Sequence, residues 1–179
     1  MKTINLSDKV FEIFISNLEI NTRTAELAKQ INLDYQNETP VIIGILNGCF
    51  MFMADLVSQI TGNCEISFIK VSSYKGETKT SGNVDEVLGL DIDVCGRDVI
   101  IVEDIVDTGK TLQFLISKTE AFKPASVKVA TLILKPEALE TQIPQITYVG
   151  FEIENKFVVG YGMDYNNLGR NLNDIYKLC

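Results

Sequence analysis

The chain has 179 residues, of which 46% are hydrophobic and 22% charged, a composition that suits one globular domain burying roughly 70% of its extended-chain surface. Its net charge of -8, with no basic stripe, argues against a nucleic-acid-binding face. It contains no histidine, which excludes Ser-His-Asp and Cys-His catalysis and His-ligated zinc and leaves acid–base work to Asp, Glu, Lys, Tyr or Cys.

The first predicted element is a strand over "KVFEIFI" (9–15), which alternates and is rich in β-formers. Ser16 with Glu19 three residues on makes a capping box, and Ile20, Leu27 and Ile31 then share one face of a helix reaching about Tyr35. After Pro40, "VIIGIL" (41–46) is a continuous apolar run and reads as a strand buried on both faces. Asn47-Gly48 turns the chain into the apolar helix "FMFMADLVSQI", and "CEISFIKVSSY" is the next strand. The polar stretch "SSYKGETKTSGN" (72–83) follows, a hairpin tip or a lid. "DVIIVED" is a third buried strand, a helix is expected from Thr108 to about Phe122, and "SVKVATLILK" is a fourth strand stopped by Pro136. Beyond it "ITYVGFEI" and "FVVGYGMD" are strand-like, separated by "ENK", and the tail "YNNLGRNLNDIYKLC" is weakly patterned.

Strands alternating with helices over 41–135 predict an α/β fold built on a parallel sheet. The expected division is a core of about 36–135 and a small hood lobe from about 1–35 and 136–179, within one domain. No apolar run approaches the ~20 residues of a membrane span, and the opening stretch lacks the long apolar core of a secretory signal. Cys49, Cys64, Cys95 and Cys179 form no C-x-x-C pair, which points to buried free thiols in a cytoplasmic protein.

Ligands of open α/β sheets sit beyond the carboxyl ends of the strands. One of those ends, "VEDIVDTGKT", closes in Gly-Lys-Thr, but a P-loop would need glycine where Asp104 stands, and that carboxylate would point into the phosphate nest. Residues 107–111 can instead hold one phosphate monoester on backbone N–H groups at a helix start, with Thr108 and Thr111 as hydroxyl donors. Glu103 and Asp104 suit sugar hydroxyls, or Mg²⁺ through water. A helix cap after a buried strand explains the same turn without any ligand.

"VIIVEDIVDTGKTL" resembles the phosphoribosyl diphosphate (PRPP) signature of type I phosphoribosyltransferases. "GILNGCFMFMADL", "SSY", "LILKP", "VGFEI" and "KFVVGYGMDYN" narrow the resemblance, from about Val10 to Leu172, to the hypoxanthine-guanine phosphoribosyltransferase family. The resemblance implies that fold, a twisted and mostly parallel sheet flanked by helices with a hood. It also implies purine salvage: Mg²⁺-dependent transfer of phosphoribosyl from PRPP to N9 of a 6-oxopurine. By resemblance Asp107, Thr108, Gly109, Lys110 and Thr111 hold the 5-phosphate, Glu103 and Asp104 meet the ribose hydroxyls, and Asp107 is the general base. Asn47, Gly48 and Arg170 face pyrophosphate, Glu103, Asp104 and Asp164 serve the metal, and Ser73 and Tyr74 belong to a lid. Lys135, Phe157, Val158 and Asp164 surround the purine.

The family often carries a cis peptide before the residue preceding Gly48. The chain departs from a common pattern at Asn47, where relatives often have Lys or Arg, so one positive charge is missing there. A homodimer or homotetramer is implied, with neither nucleic acid nor membrane as partner. A xanthine-preferring transferase and a PRPP-sensing regulator on the same fold are the competing readings. The regulator would need a DNA-binding appendage or a basic face.

Overall fold

The computed structural model describes residues 3–73, 84–88 and 91–179. Among these residues ten strands and three α-helices run in the order β1 Thr3–Leu6, β2 Lys9–Ile15, α1 Asn17–Asp34, β3 Val41–Leu46, α2 Phe50–Val57, β4 Glu65–Ser73, β5 Val84–Leu88, β6 Asp98–Val106, α3 Lys110–Glu120, β7 Ser126–Leu134, β8 Ile146–Glu152, β9 Val158–Val159 and β10 Ile175–Leu178, with a 3-10 turn at Pro136–Ala138. They form a six-stranded sheet, β5-β4-β3-β6-β7-β8, and a four-stranded sheet, β1-β2-β10-β9. In the larger sheet β4, β3, β6, β7 and β8 are parallel and only β5 pairs antiparallel.

Both faces of that sheet are covered, which is why its central strands read as unbroken apolar runs. Along β6, Ile100 and Val102 join α1 and α2 on one face, while Val99 and Ile101 join Leu112, Leu115 and Ile116 of α3 on the other. The start of α1 is capped as its sequence predicts: Ser16 N–H donates to Glu19 Oε2 at 2.9 Å, and Glu19 N–H donates to Ser16 Oγ at 3.4 Å. No helix among the described residues is long and apolar enough to cross a membrane.

Strand pairing redraws the expected lobe boundary. The segment 146–152 pairs in parallel with β7 and extends the large sheet, instead of belonging to the hood. Helix α1 packs against α2 and β8, so it too belongs with the core. The small lobe is the four-stranded antiparallel sheet alone. Its β1 and β10 come from segments with little pattern; β10 finds its register only by lying between β2 and β9. "FVVGYGMD" is not one long strand. Two residues pair, and then Gly160, Tyr161 and Gly162 all take positive φ and break the extended run. Two helix limits also shift. Helix α2 ends at Val57, and α3 begins at Lys110, because Gly109 takes a left-handed conformation (φ 82°) as its N-cap.

Candidate active site

The carboxyl ends of β3, β6 and β7 meet the small lobe across a cleft of about 280 Å³. Its walls include Asn47 and Gly48 after β3, Asp104 and Asp107 at and after the end of β6, Lys135 after β7, and Phe157, Val158, Asp164 and Arg170 opposite. A second recess of about 110 Å³ lies over residues 107–111 at the start of α3, and Asp107 borders both.

The β3 turn is tightly enclosed. The Leu46–Asn47 peptide is cis. A Cβ at Gly48 would overlap the Asp104 carboxylate, and one at Gly162 would overlap the Gly48 carbonyl. Gly48 is thus held between β6 and the Gly160–Gly162 turn, and both glycines permit that approach. Asn47 is exposed at the rim. Cys49 is buried just behind, where desolvation first, and then the charges of Glu103 and Asp104, push its thiol up. It is therefore no nucleophile; of the thiols expected to be buried only Cys49 is, since Cys95 and Cys179 are exposed and Cys64 is half-buried.

Glu103 and Asp104 do not act as a side-by-side pair. Successive strand residues point to opposite sides; accordingly Asp104 borders the main cleft and Glu103 the phosphate-type recess. Glu103 Oε2 is buried without a hydrogen-bond partner, and burial, with Asp104 adding, raises its pKa well above the ordinary range. Burial pushes the Asp104 carboxyl up to about 6, against the pull of its own and the Ile105 backbone N–H groups and of Arg170.

In the recess, Gly109 closes the turn with its α face against Ile143 and Leu139. Lys110 N–H donates weakly to Thr108 Oγ1 at 3.5 Å, and Gln113 N–H reaching Gly109 O at 2.9 Å begins the helical bonding. The first-turn N–H groups, including that of Thr111, therefore remain available to an anion. The Lys110 side chain pairs with Glu140, at 2.7 Å.

Lys135 is 5% exposed, a degree of burial that ammonium groups tolerate only with partners. Its Nζ lies 2.9 Å from Asp107 Oδ2 and 3.4 Å from Asn155 Oδ1. Two residues expected to do separate work are therefore in direct contact. Asn155 belongs to the "ENK" turn and carried no signal in the sequence.

Phe157 is 45% exposed and lines the cleft. Behind it, Tyr165 meets its ring edge-on at 5.9 Å and Phe11 tilts against it at 6.2 Å. The Lys9 ammonium lies 5.5 Å from the Phe157 ring centre and 4.5 Å from that of Tyr165, while the Tyr165 hydroxyl donates to Asp8 Oδ1 at 2.9 Å. The β1–β2 turn therefore braces the aromatic wall. Opposite, Asp164 pairs with Arg170 and accepts from Asn167 N–H at 2.8 Å; Arg170 also donates to the Gly162 carbonyl at 2.7 Å.

Among the described residues no three carboxylates or thiols gather to hold a metal, so Glu103, Asp104 and Asp164 are not a ready-made metal cage. Of these three, Asp104 and Asp164 border the main cleft, and one or two carboxylates completed by water and phosphate oxygens is the donor set Mg²⁺ takes. The chain fits that ion in this looser form. Of the lid residues, Ser73 ends β4, and Tyr74 with the rest of the stretch to residue 83 lies outside the described residues.

The recess over the start of α3 thus adjoins a cleft walled by an aromatic ring and a buried lysine at the carboxyl edge of a parallel sheet. A family model described as phosphoribosyl transferase domain matches residues 15–166. The hypoxanthine-guanine phosphoribosyltransferase of Lactococcus lactis is 42% identical over 168 residues, covering 94% of this chain and 91% of its own. That of Bacillus subtilis is 42% identical over 161 residues, covering 90% and 89%. The crystal structure of a hypoxanthine-guanine phosphoribosyltransferase from Bacillus anthracis superposes with a TM-score of 0.87 at 39% identity, over 94% of this chain and 98% of that one. The chain belongs to the hypoxanthine-guanine phosphoribosyltransferase family and is an enzyme of that kind.

Proposed function

We propose that the protein transfers phosphoribosyl from PRPP to N9 of hypoxanthine and guanine, giving IMP and GMP with release of pyrophosphate, in a Mg²⁺-dependent reaction of purine salvage in the cytoplasm. The observation that carries this reading is Lys135: a buried ammonium aimed at the same cleft that Phe157 walls. It supplies donors to a 6-oxo group while the ring supplies a stacking face.

The other groups take roles around that base. Backbone N–H groups of 108–111 hold the 5-phosphate, with the Thr108 and Thr111 hydroxyls as further donors. Glu103, on the recess side, and Asp104, on the cleft side, meet the ribose hydroxyls. Gly48 and Arg170 face the diphosphate, with Asn47 at its rim, and the backbone of Val158 meets the purine edge. The bond from C1′ to the diphosphate oxygen breaks and the N9–C1′ bond forms. Asp107 takes the proton from N7 of the purine, and the positive charge that develops on the ribose lies among carboxylates. Asp104 and Asp164 are the groups to hold Mg²⁺; when bound, the ion neutralises the charge of the leaving pyrophosphate.

The test is purified protein with PRPP, each purine base, and Mg²⁺ or excess chelator, read for nucleotide formation. IMP and GMP should form only with the metal; full turnover in excess chelator would sink the metal dependence, and no nucleotide from any base would sink the reading.

The same reading includes a homodimer or homotetramer. A Trypanosoma cruzi hypoxanthine phosphoribosyltransferase, studied for the role of its C-terminal region in oligomeric state, superposes with a TM-score of 0.88 at 36% identity, over 98% of this chain and 95% of that one. Light scattering should give two or four times the 19.9 kDa chain mass, and a monomer at micromolar concentration would remove this part.

A further inference from the structure

Tyr161 is fully buried, although its phenol must then find a partner inside the protein. It sits at positive φ (47°) between Gly160 and Gly162, so the chain is bent sharply to send this one side chain inward. The phenol crosses from the small lobe to the core and donates to Asp55 Oδ2 on α2. Burial, with Asp55 adding, raises the phenol's pKa, so it remains a donor.

The turn that Tyr161 anchors does three things at the site. Gly162 packs directly on the Gly48 carbonyl, leaving no room for a Cβ. The Gly162 carbonyl accepts from Arg170 Nη1 at 2.7 Å, and its N–H donates to the Arg170 carbonyl at 3.0 Å. The Tyr161 N–H also donates to the Leu172 carbonyl at 2.8 Å. Asp55 lies on the helix that begins two residues after Gly48, so the pair ties both sides of the Gly48–Gly162 contact to one hydrogen bond.

We propose that Tyr161 and Asp55 are positioning residues for the diphosphate end of the cleft, holding the Gly162 turn on Gly48 and thereby setting Gly48 and Arg170. Neither residue lines the cleft, and the purine-facing groups Lys135 and Phe157 are held by other contacts: Asp107 and Asn155 for the first, Tyr165 and Phe11 for the second. Loss of the bond should therefore separate the two substrates. This inference rests on the reaction proposed above.

Tyr161→Phe keeps the ring that fills the core and removes only the donor. Its KM for PRPP, and for pyrophosphate in the reverse reaction, should rise by about 10-fold or more, the scale of a lost hydrogen bond to a charged partner, while the purine KM changes less than about 2-fold on that same scale. Asp55→Asn retains an acceptor and should stay close to the unsubstituted enzyme, whereas Asp55→Leu should match Tyr161→Phe. A uniform rise in both KM values, a lowered Tm with unchanged kinetics, or Asp55→Asn as damaged as Asp55→Leu would each overturn the proposal. If Asp55→Leu does not fold, Tyr161→Phe with Asp55→Asn still decides it. The unsubstituted enzyme separates the two levels: no nucleotide from it refutes the reaction, whereas a missing KM split in the variants refutes only the positioning role.

Discussion

Lys135→Met should lower kcat/KM for hypoxanthine and guanine by about 10³-fold, with PRPP affinity nearly unchanged, because a buried cation that reads a substrate carbonyl has no substitute once its donors are gone. The unsubstituted enzyme should reject adenine by roughly 10⁴-fold, since an ammonium has donors only and would face an amino group with none to accept. The geometry adds a complication that the experiment must separate. Lys135 Nζ lies 2.9 Å from Asp107 Oδ2, so its removal also frees a carboxylate at the reaction centre. A double-mutant cycle resolves this. If Lys135 only restrains Asp107, Lys135→Met should do nothing further in an Asp107→Asn background. If it reads the base, it should cost a further factor in that background and leave the base profile altered. Steady-state kinetics with all three bases on the four proteins give the answer, and an unchanged base profile after Lys135→Met would take it out of base recognition.

Asp107→Asn should leave the fold and PRPP binding intact while lowering turnover by about 10²-fold or more, the scale of a lost acid–base group. Asparagine is nearly isosteric and still offers Lys135 an acceptor oxygen, so the architecture around Lys135 and Asn155 should persist. What disappears is the ability to take a proton. The decisive comparison is kcat at saturating PRPP against the binding constant for PRPP, the latter measured by calorimetry without a base. A collapse in PRPP affinity with unchanged turnover would reassign Asp107 to the phosphate loop, whose recess it also borders. Unchanged values for both would remove it from the site.

Local physics left much of this protein readable in its sequence. The capping box at Ser16 and Glu19 needs only a few residues to form, and it forms. The buried runs over β3, β6 and β7 are apolar because both of their faces are covered, and apolarity is visible in any linear string. The loop 107–111 is local as well, and a recess does lie over it; the residue-by-residue resemblance of the chain to known transferases carries the family.

The tertiary structure decided what depends on partners distant in the chain. Segment 146–152 reads as a hood strand because it follows the α/β alternation that stops at Pro136, and only its parallel pairing with β7 assigns it to the large sheet. The tail acquires a strand because β2 and β9 offer it two edges. Glu103 and Asp104, adjacent in sequence, part company because the strand pleat sends them to different recesses. The contact of Lys135 with Asp107, 28 residues apart, arises because β6 and β7 are neighbouring parallel strands whose ends stand side by side. The bond from Tyr161 to Asp55 spans 106 residues and two lobes. No spacing rule connects such residues; they meet because burying the apolar faces of α1, α2 and the sheet leaves one compact arrangement, and the polar groups at its edge converge as a consequence.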